Sequence, residues 1–172
     1  MNDFMSLAAG RFSVRAYDPK PVEEEKVQKI LEAGRLAPTA RNSQPQVVYA
    51  VVSEEARSAL AGVTPCTFNA PLVFVIGYDP AVCATGKIYE GFSFGEMDSA
   101  IVCTHMMLEA TDLGLGSCWV GWFNEAEVKA ALKLPEDFRA VALLPVGYAA
   151  ANAGPSAMHS SRKPLESYVH KL

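Results

Sequence analysis

Two arginines flank a serine near the start of the chain, in Arg11-Phe12-Ser13-Val14-Arg15. In an extended segment, alternation sends Arg11, Ser13 and Arg15 to one side and Phe12 and Val14 to the other. Two planar guanidinium forks and a hydroxyl aimed together suit a phosphate monoester, which carries nearly two negative charges and accepts bidentate hydrogen bonds. Each such charge-assisted bond contributes roughly 1.5–3 kcal/mol. A solvated basic edge has the same spacing, so the row by itself leaves both descriptions open.

Three further clusters carry chemistry. Ala37-Pro38-Thr39-Ala40-Arg41-Asn42-Ser43-Gln44-Pro45 is a polar stretch between prolines, rich in amide and hydroxyl groups able to bond the heteroatoms of a planar ring. Gly116-Ser117-Cys118-Trp119-Val120-Gly121-Trp122-Phe123 sets small residues beside large aromatics, which lets a flat ligand approach the backbone. Arg162-Lys163-Pro164 returns positive charge near the end. Other patterns are weaker. Gly114-Leu115-Gly116 has a helical pattern before it and a strand pattern after it, the reverse of a dinucleotide fingerprint, and reads as a helix stop. There is no G-x-x-x-x-G-K-S/T and no G-x-S-x-G. His105 and Glu109 stand one helical turn apart without the further ligands that a metal needs.

These clusters need elements to position them. Asn2 or Asp3 starts a short helix through Ala9, stopped by Gly10. Pro21 and Glu23 to Glu25 open a second, which buries Val27, Ile30 and Leu31 and ends at Gly34 or Pro38. Val47–Val52 and Leu72–Gly77 read as interior strands, with a short helix from Glu54 to Ala61 between them. Residues 79–95 form a long loop with three glycines and three aromatics. Glu96–Leu113 is a long helix, apolar nearly all round, with Asp98, His105, Glu109 and Asp112 as one polar stripe. A strand over Cys118–Trp122, a helix capped by Asn124 and ended before Pro135, and a buried strand over Val141–Val146 follow. The tail is irregular, then extended around Tyr168-Val169. Helices on both faces of a mixed, mainly antiparallel sheet make a three-layer α+β architecture.

The chain has 172 residues, half of them hydrophobic and a fifth charged, which fits one domain over 1–172 with a substantial core. The net charge of −4 argues against nucleic acid or an anionic membrane as the main partner. That charge is uneven. Residues 1–45 sum to +1, residues 46–161 to −7 and residues 162–172 to +2. The opening lacks a leader pattern, no apolar run is long enough to span a bilayer, and Cys66, Cys83, Cys103 and Cys118 show no C-x-x-C spacing. Reduced thiols and a cytoplasmic address are expected.

Taken in order, R-x-S-x-R, A-P-S/T-x-x-N-x-Q-P, the long helix leading to G-L-G-S-C-W-V-G-W-F, and L-L-P-V-G-Y followed by R-K-P-L-E resemble the FMN-dependent nitroreductase family in its compact form. The resemblance runs from about Arg11 to Leu165. It implies an α+β homodimer with FMN at the subunit interface and NAD(P)H as reductant, acting on nitroaromatics, quinones or similar small planar acceptors by a ping-pong mechanism. An FMN-binding carrier or sensor is the alternative.

Carried over by position, the resemblance implies that Arg11 and Ser13 hold the FMN phosphate, with Phe12 also at the cofactor, and that Arg15 sits near the pyrimidine edge. Pro38, Thr39, Ala40 and Asn42 come from the partner subunit, and Trp119, Val120 and Gly121 run under the ring. Arg162 and Lys163 complete the phosphate contacts, although Ser160 stands where many relatives have lysine. Tyr89, Phe92, Phe94 and Trp122 are the candidates for contact with an acceptor. The flavin carries the chemistry, so no catalytic side chain is expected.

Overall fold

A computed structural model of the chain describes residues 3–86 and 92–172. Its elements run α1 (Phe4–Gly10), α2 (Glu24–Arg35), β1 (Gln46–Val51), α3 (Glu54–Val63), β2 (Leu72–Tyr78), α4 (Gly95–Asp112), β3 (Gly116–Ser117), α5 (Glu125–Leu132) and β4 (Arg139–Gly147). Single 3₁₀ turns lie at Ala40–Asn42, Pro65–Thr67 and Leu165–Ser167.

The four strands pair antiparallel in the order β1-β2-β4-β3. Alternation in β2 and β4 divides the core. Leu72, Phe74, Ile76, Ala142, Leu144 and Val146 meet α2 and α4 on one face, while Val73, Val75 and Leu143 pack with Leu60 of α3 and Val128 of α5 on the other. Both faces are covered, so the three-layer α+β arrangement is the one expected. Burying each large side chain of these layers contributes about 1.5–3 kcal/mol. The parallel component of the sheet is one bridge, Ser13 to Ser117.

Several local expectations need correction. β1 is an edge strand paired with β2 and only half-buried, although its apolar run suggests an interior strand. α1 takes in Gly10, and α3 runs past Gly62 to Val63, so neither glycine stops its helix. Gly34 lies inside α2, where a Cβ would sit 2.9 Å from Met106 Cγ; it lets α2 approach α4. Gly114, at φ +76, does terminate its helix region, and Lys26 Nζ donates to the Leu113 carbonyl at 2.9 Å beside it.

The strand expected over Cys118–Trp122 is displaced: β3 lies just before it, and within the expected span only Val120 bridges, to Leu143. Ser117–Val146 and Val120–Leu143 belong to one unbroken register. Between them the Cys118 N–H donates to Pro145 O at 3.3 Å, but proline has no N–H to return, so one rung is missing. The long loop before α4 is partly organised, with a bridge from Thr85 to Ser93. At the tail the chain forms the Leu165–Ser167 turn rather than an extended segment, because the Tyr168 and Val169 amides fold back onto the Leu165 carbonyl.

Candidate functional site

The Arg11–Arg15 segment leaves α1 extended and is held against the sheet. Val14, 2% exposed, donates its N–H to Ser117 O at 2.9 Å. Gly116 makes this approach possible, since a Cβ there would stand 2.6 Å from Val14 Cγ2. Tyr17 fastens the far end, its buried hydroxyl within 2.9 Å of Val14 O and 3.1 Å of Pro145 O. Burial pushes the Tyr17 phenol far above its ordinary range, with the Cys118 thiol adding to the rise. It remains a neutral donor.

Val14 is buried, Arg11 and Ser13 are half-buried and Arg15 is exposed. The Cys118 thiol registers Arg11, Ser13 and Arg15. Burial raises its pKa, while Arg15, the Ser13 hydroxyl and Arg11 pull it down. Among the described residues, neither Arg11 nor Arg15 has a carboxylate within ion-pair distance. Ser117 Oγ is buried there without a hydrogen-bond partner among the described residues. Arg11 and Phe12 also line a cleft of about 180 Å³ with Thr111, Gly114 and Gly116, at the C-terminal end of α4.

The tail comes to the same end of the molecule. His159 Nε2 lies 3.1 Å from Ala9 O at the end of α1, and its ring packs edge-on to Phe12, centroids 6.2 Å apart. Arg162 Nη1 donates to the carbonyls of His159, at 2.5 Å, and Ser161, at 2.8 Å. Lys163 is exposed. The tail therefore packs against the end of α1 and Phe12 through His159.

Beyond β3, Val120 is buried by its pairing with Leu143, while Trp119 and Gly121 reach the surface. The Trp119 ring lies over Gly121, with Cζ3 3.0 Å from where a Cβ would be. Among the described residues the Gly121 N–H has no hydrogen-bond partner, which leaves a backbone donor available. Trp122 is 79% exposed and borders a separate cavity of about 520 Å³ with Val63, Pro65 and Phe123.

Pro38, Thr39, Ala40 and Asn42 are elsewhere. Their loop follows α2 and is tied to the start of α4 by a hydrogen bond from the Ala40 N–H to Asp98 Oδ1 at 2.9 Å. Phe92 and Phe94 share that end, their rings T-shaped at 4.9 Å. Tyr89 lies outside the described residues. Asp98 and Thr111 are thirteen residues apart on α4, about 20 Å along the axis. One chain thus carries two separated halves of the expected site.

The polar stripe expected on α4 is also redistributed. Asp98 is buried, His105 has Nδ1 2.9 Å from Ile101 O, and Met97 and Ile101 are exposed, at 47% and 37%. Asp98 and Tyr17 stand beside the candidate site without belonging to any of its motifs, whereas Ser117 lies within the Gly116–Phe123 cluster. Asp98 has one visible signal, an acid at the start of an apolar helix.

A sequence profile of the nitroreductase family matches residues 8–65 and 62–148. The chain belongs to the nitroreductase family. Its fold is correspondingly close to that of a nitroreductase family protein from Clostridium difficile 630, with a TM-score of 0.90, 33% identity and 98% of each chain covered. A protein from Exiguobacterium sibiricum 255-15 in complex with FMN shares the fold at a TM-score of 0.83 and 23% identity, covering 100% of this chain and 98% of that one. A curated relative from Bacillus subtilis, an NAD(P)H FMN reductase, is 28% identical in an alignment of 167 positions that covers 87% of this chain and 67% of the relative.

Proposed function

We propose that residues 1–172 act as a single FMN-dependent oxidoreductase domain. It would use NAD(P)H to reduce nitroaromatic, quinone or similar small planar acceptors by a ping-pong cycle, as a cytoplasmic homodimer with FMN at the subunit interface. One observation carries the reading. The Arg11 and Arg15 guanidiniums, without carboxylate partners among the described residues, lie with the Ser13 hydroxyl about the Cys118 thiol, beside a buried Ser117 Oγ that has no described partner and the exposed Trp119 and Gly121. That donor set fits a phosphate at one end and a flat ring lying along backbone at the other.

In this reading Arg11 and Ser13 bind the phosphate, with Phe12 beside them and Arg162 and Lys163 adding charge from the tail. Arg15 faces the pyrimidine edge. Gly121 offers its backbone N–H to the ring, Val120 beside it is fixed in the sheet by both of its bonds to Leu143, and Trp119 shields one side from water. Bound FMN would supply the redox chemistry, taking hydride equivalents from NAD(P)H and passing them to the acceptor while negative charge gathers at its pyrimidine edge. A fixed cation at Arg15 opposes that charge in a site already oriented for it. Trp122, Phe92 and Phe94 offer apolar faces to a planar acceptor.

The loop of Pro38, Thr39, Ala40 and Asn42 lies about 20 Å along α4 from Arg11, which supports a site completed by a second copy. Met97 and Ile101 on α4, with Phe4, Met5 and Leu36, leave apolar surface that such a copy would cover.

The test is the spectrum of the purified protein. It should be yellow, bleach on anaerobic addition of NADH or NADPH, and regain colour with a nitroaromatic or quinone. A protein that stays colourless after incubation with excess FMN and desalting would sink the assignment, and failure to recover colour would remove the acceptor class.

A further inference from the structure

Asp98 is 3% exposed in the first turn of α4. Its Oδ1 accepts the Ala40 N–H at 2.9 Å, whereas Oδ2 is buried with no partner among the described residues. An acid is a costly residue to bury for packing alone, so the position asks what this one does.

Ala40 opens a loop with an unusual backbone. Arg41, Asn42 and Gln44 have φ of 54, 53 and 49°, a region that residues other than glycine enter at a cost, asparagine least. Local bonds set the loop's shape: Asn42 N–H to Thr39 O at 2.9 Å, Ser43 N–H to Ala40 O at 3.0 Å, and Gln44 N–H to Thr39 Oγ1 at 3.1 Å. None of these three fixes where the loop stands relative to the helices. The Ala40–Asp98 bond does.

We propose that Asp98 is a positioning residue for the cofactor, holding residues 38–42 in the orientation in which Thr39 and Asn42 meet FMN. This rests on the reading that the loop contacts FMN.

The experiment compares holoprotein carrying Asp98→Ala, Asp98→Asn and Asn42→Ala. FMN Kd comes from fluorescence quenching, and amide hydrogen exchange is followed at Ala40–Gln44. Asp98→Ala should raise Kd about tenfold, the scale of one lost hydrogen bond to a charged group, and speed exchange in the loop while the strands keep their protection. Asp98→Asn retains an acceptor oxygen and should restore both readouts to within about twofold of the parent. Loss of general stability would not produce that rescue. Where Asp98→Ala does not fold, Ala40→Pro removes the donor and leaves the acid untouched; Thr39 already has the extended backbone (φ −128°, ψ 155°) that a residue before proline requires.

If Asn42→Ala weakens FMN while Asp98→Ala and Ala40→Pro do not, the loop contact stands and the role of Asp98 is overturned. If Asn42→Ala also leaves Kd unchanged, the loop reading fails and takes the proposal with it.

Discussion

Ser13 and Ser117 face each other across a parallel bridge, and the bond that closes it runs from the Val14 N–H to the Ser117 carbonyl at 2.9 Å. Through this bridge the arginine row acquires the rigidity of the sheet. Its tightest point is Gly116, where an added Cβ would stand 2.6 Å from Val14 Cγ2 and 2.9 Å from Val14 Cβ. Gly116→Ala should therefore cost about 1–3 kcal/mol through overpacking, read as a lower urea midpoint at unchanged slope. It should also loosen FMN by displacing Ser13.

Arg11→Ala should release FMN. A charge-assisted bond of roughly 1.5–3 kcal/mol corresponds to about a tenfold to hundredfold rise in Kd. Retention of the yellow colour through dialysis, at the parent's rate, would show that the phosphate is held elsewhere. Arg15→Ala acts at the ring instead, so it should lower the flavin reduction potential more than it weakens binding.

Thiol chemistry should separate the cysteines. Cys66 is half-buried, whereas Cys83, Cys103 and Cys118 are buried. Burial drives the Cys103 thiol far above its ordinary range and also raises Cys118, against the pull of Arg15. Since the thiolate is the reacting form, iodoacetamide at pH 8 should modify Cys66 first. Cys103 should react only after denaturation, as mass spectrometry of the labelled peptides would establish.

Glu23 anchors a surface network that ends at the Leu113 carbonyl, just past α4. Its hydrogen bond with Lys20, then one from its own backbone N–H and one from the Tyr148 hydroxyl, hold its carboxyl down at about 2 from the ordinary 4.5. Tyr148 also takes a hydrogen bond from Lys26 at 2.9 Å. A depressed carboxylate stabilises the fold above its unfolded pKa, and that stability is lost as pH falls through the folded value. The Tm difference between the parent and Glu23→Gln should thus be present at neutral pH and shrink between about pH 4.5 and 2. Glu23 is exposed, so salt should shrink it too.

Much of the fold was legible because local pattern and tertiary role agreed. Leu72–Gly77 is a run of apolar residues and became the buried β2, and Asn124 caps α5 by accepting from the Ala126 and Glu127 amides. Legibility failed where a neighbour decides. Val47 to Val51 looks interior, yet nothing local says which strands flank it. Pro145 interrupts a ladder whose other half lies 27 residues earlier, at Cys118. Gly34 resembles a stop until Met106 is seen against it. Around the candidate site, the burial of Val14 next to an exposed Arg15 followed from alternation, because that is a property of one extended segment. The role of Asp98 depends on a backbone amide 58 positions away, which no spacing rule reaches.

The length of α4 has a genetic consequence. If each site of the dimer draws its arginine row from one copy and its Thr39–Asn42 loop from the other, damage to either half is not confined to the copy that carries it. A mixed dimer of an Arg11→Ala chain with an Asn42→Ala chain would concentrate both lesions in one site and leave the other fully intact. Two inactive proteins would then complement on subunit exchange, giving at most one strongly bound FMN per mixed dimer.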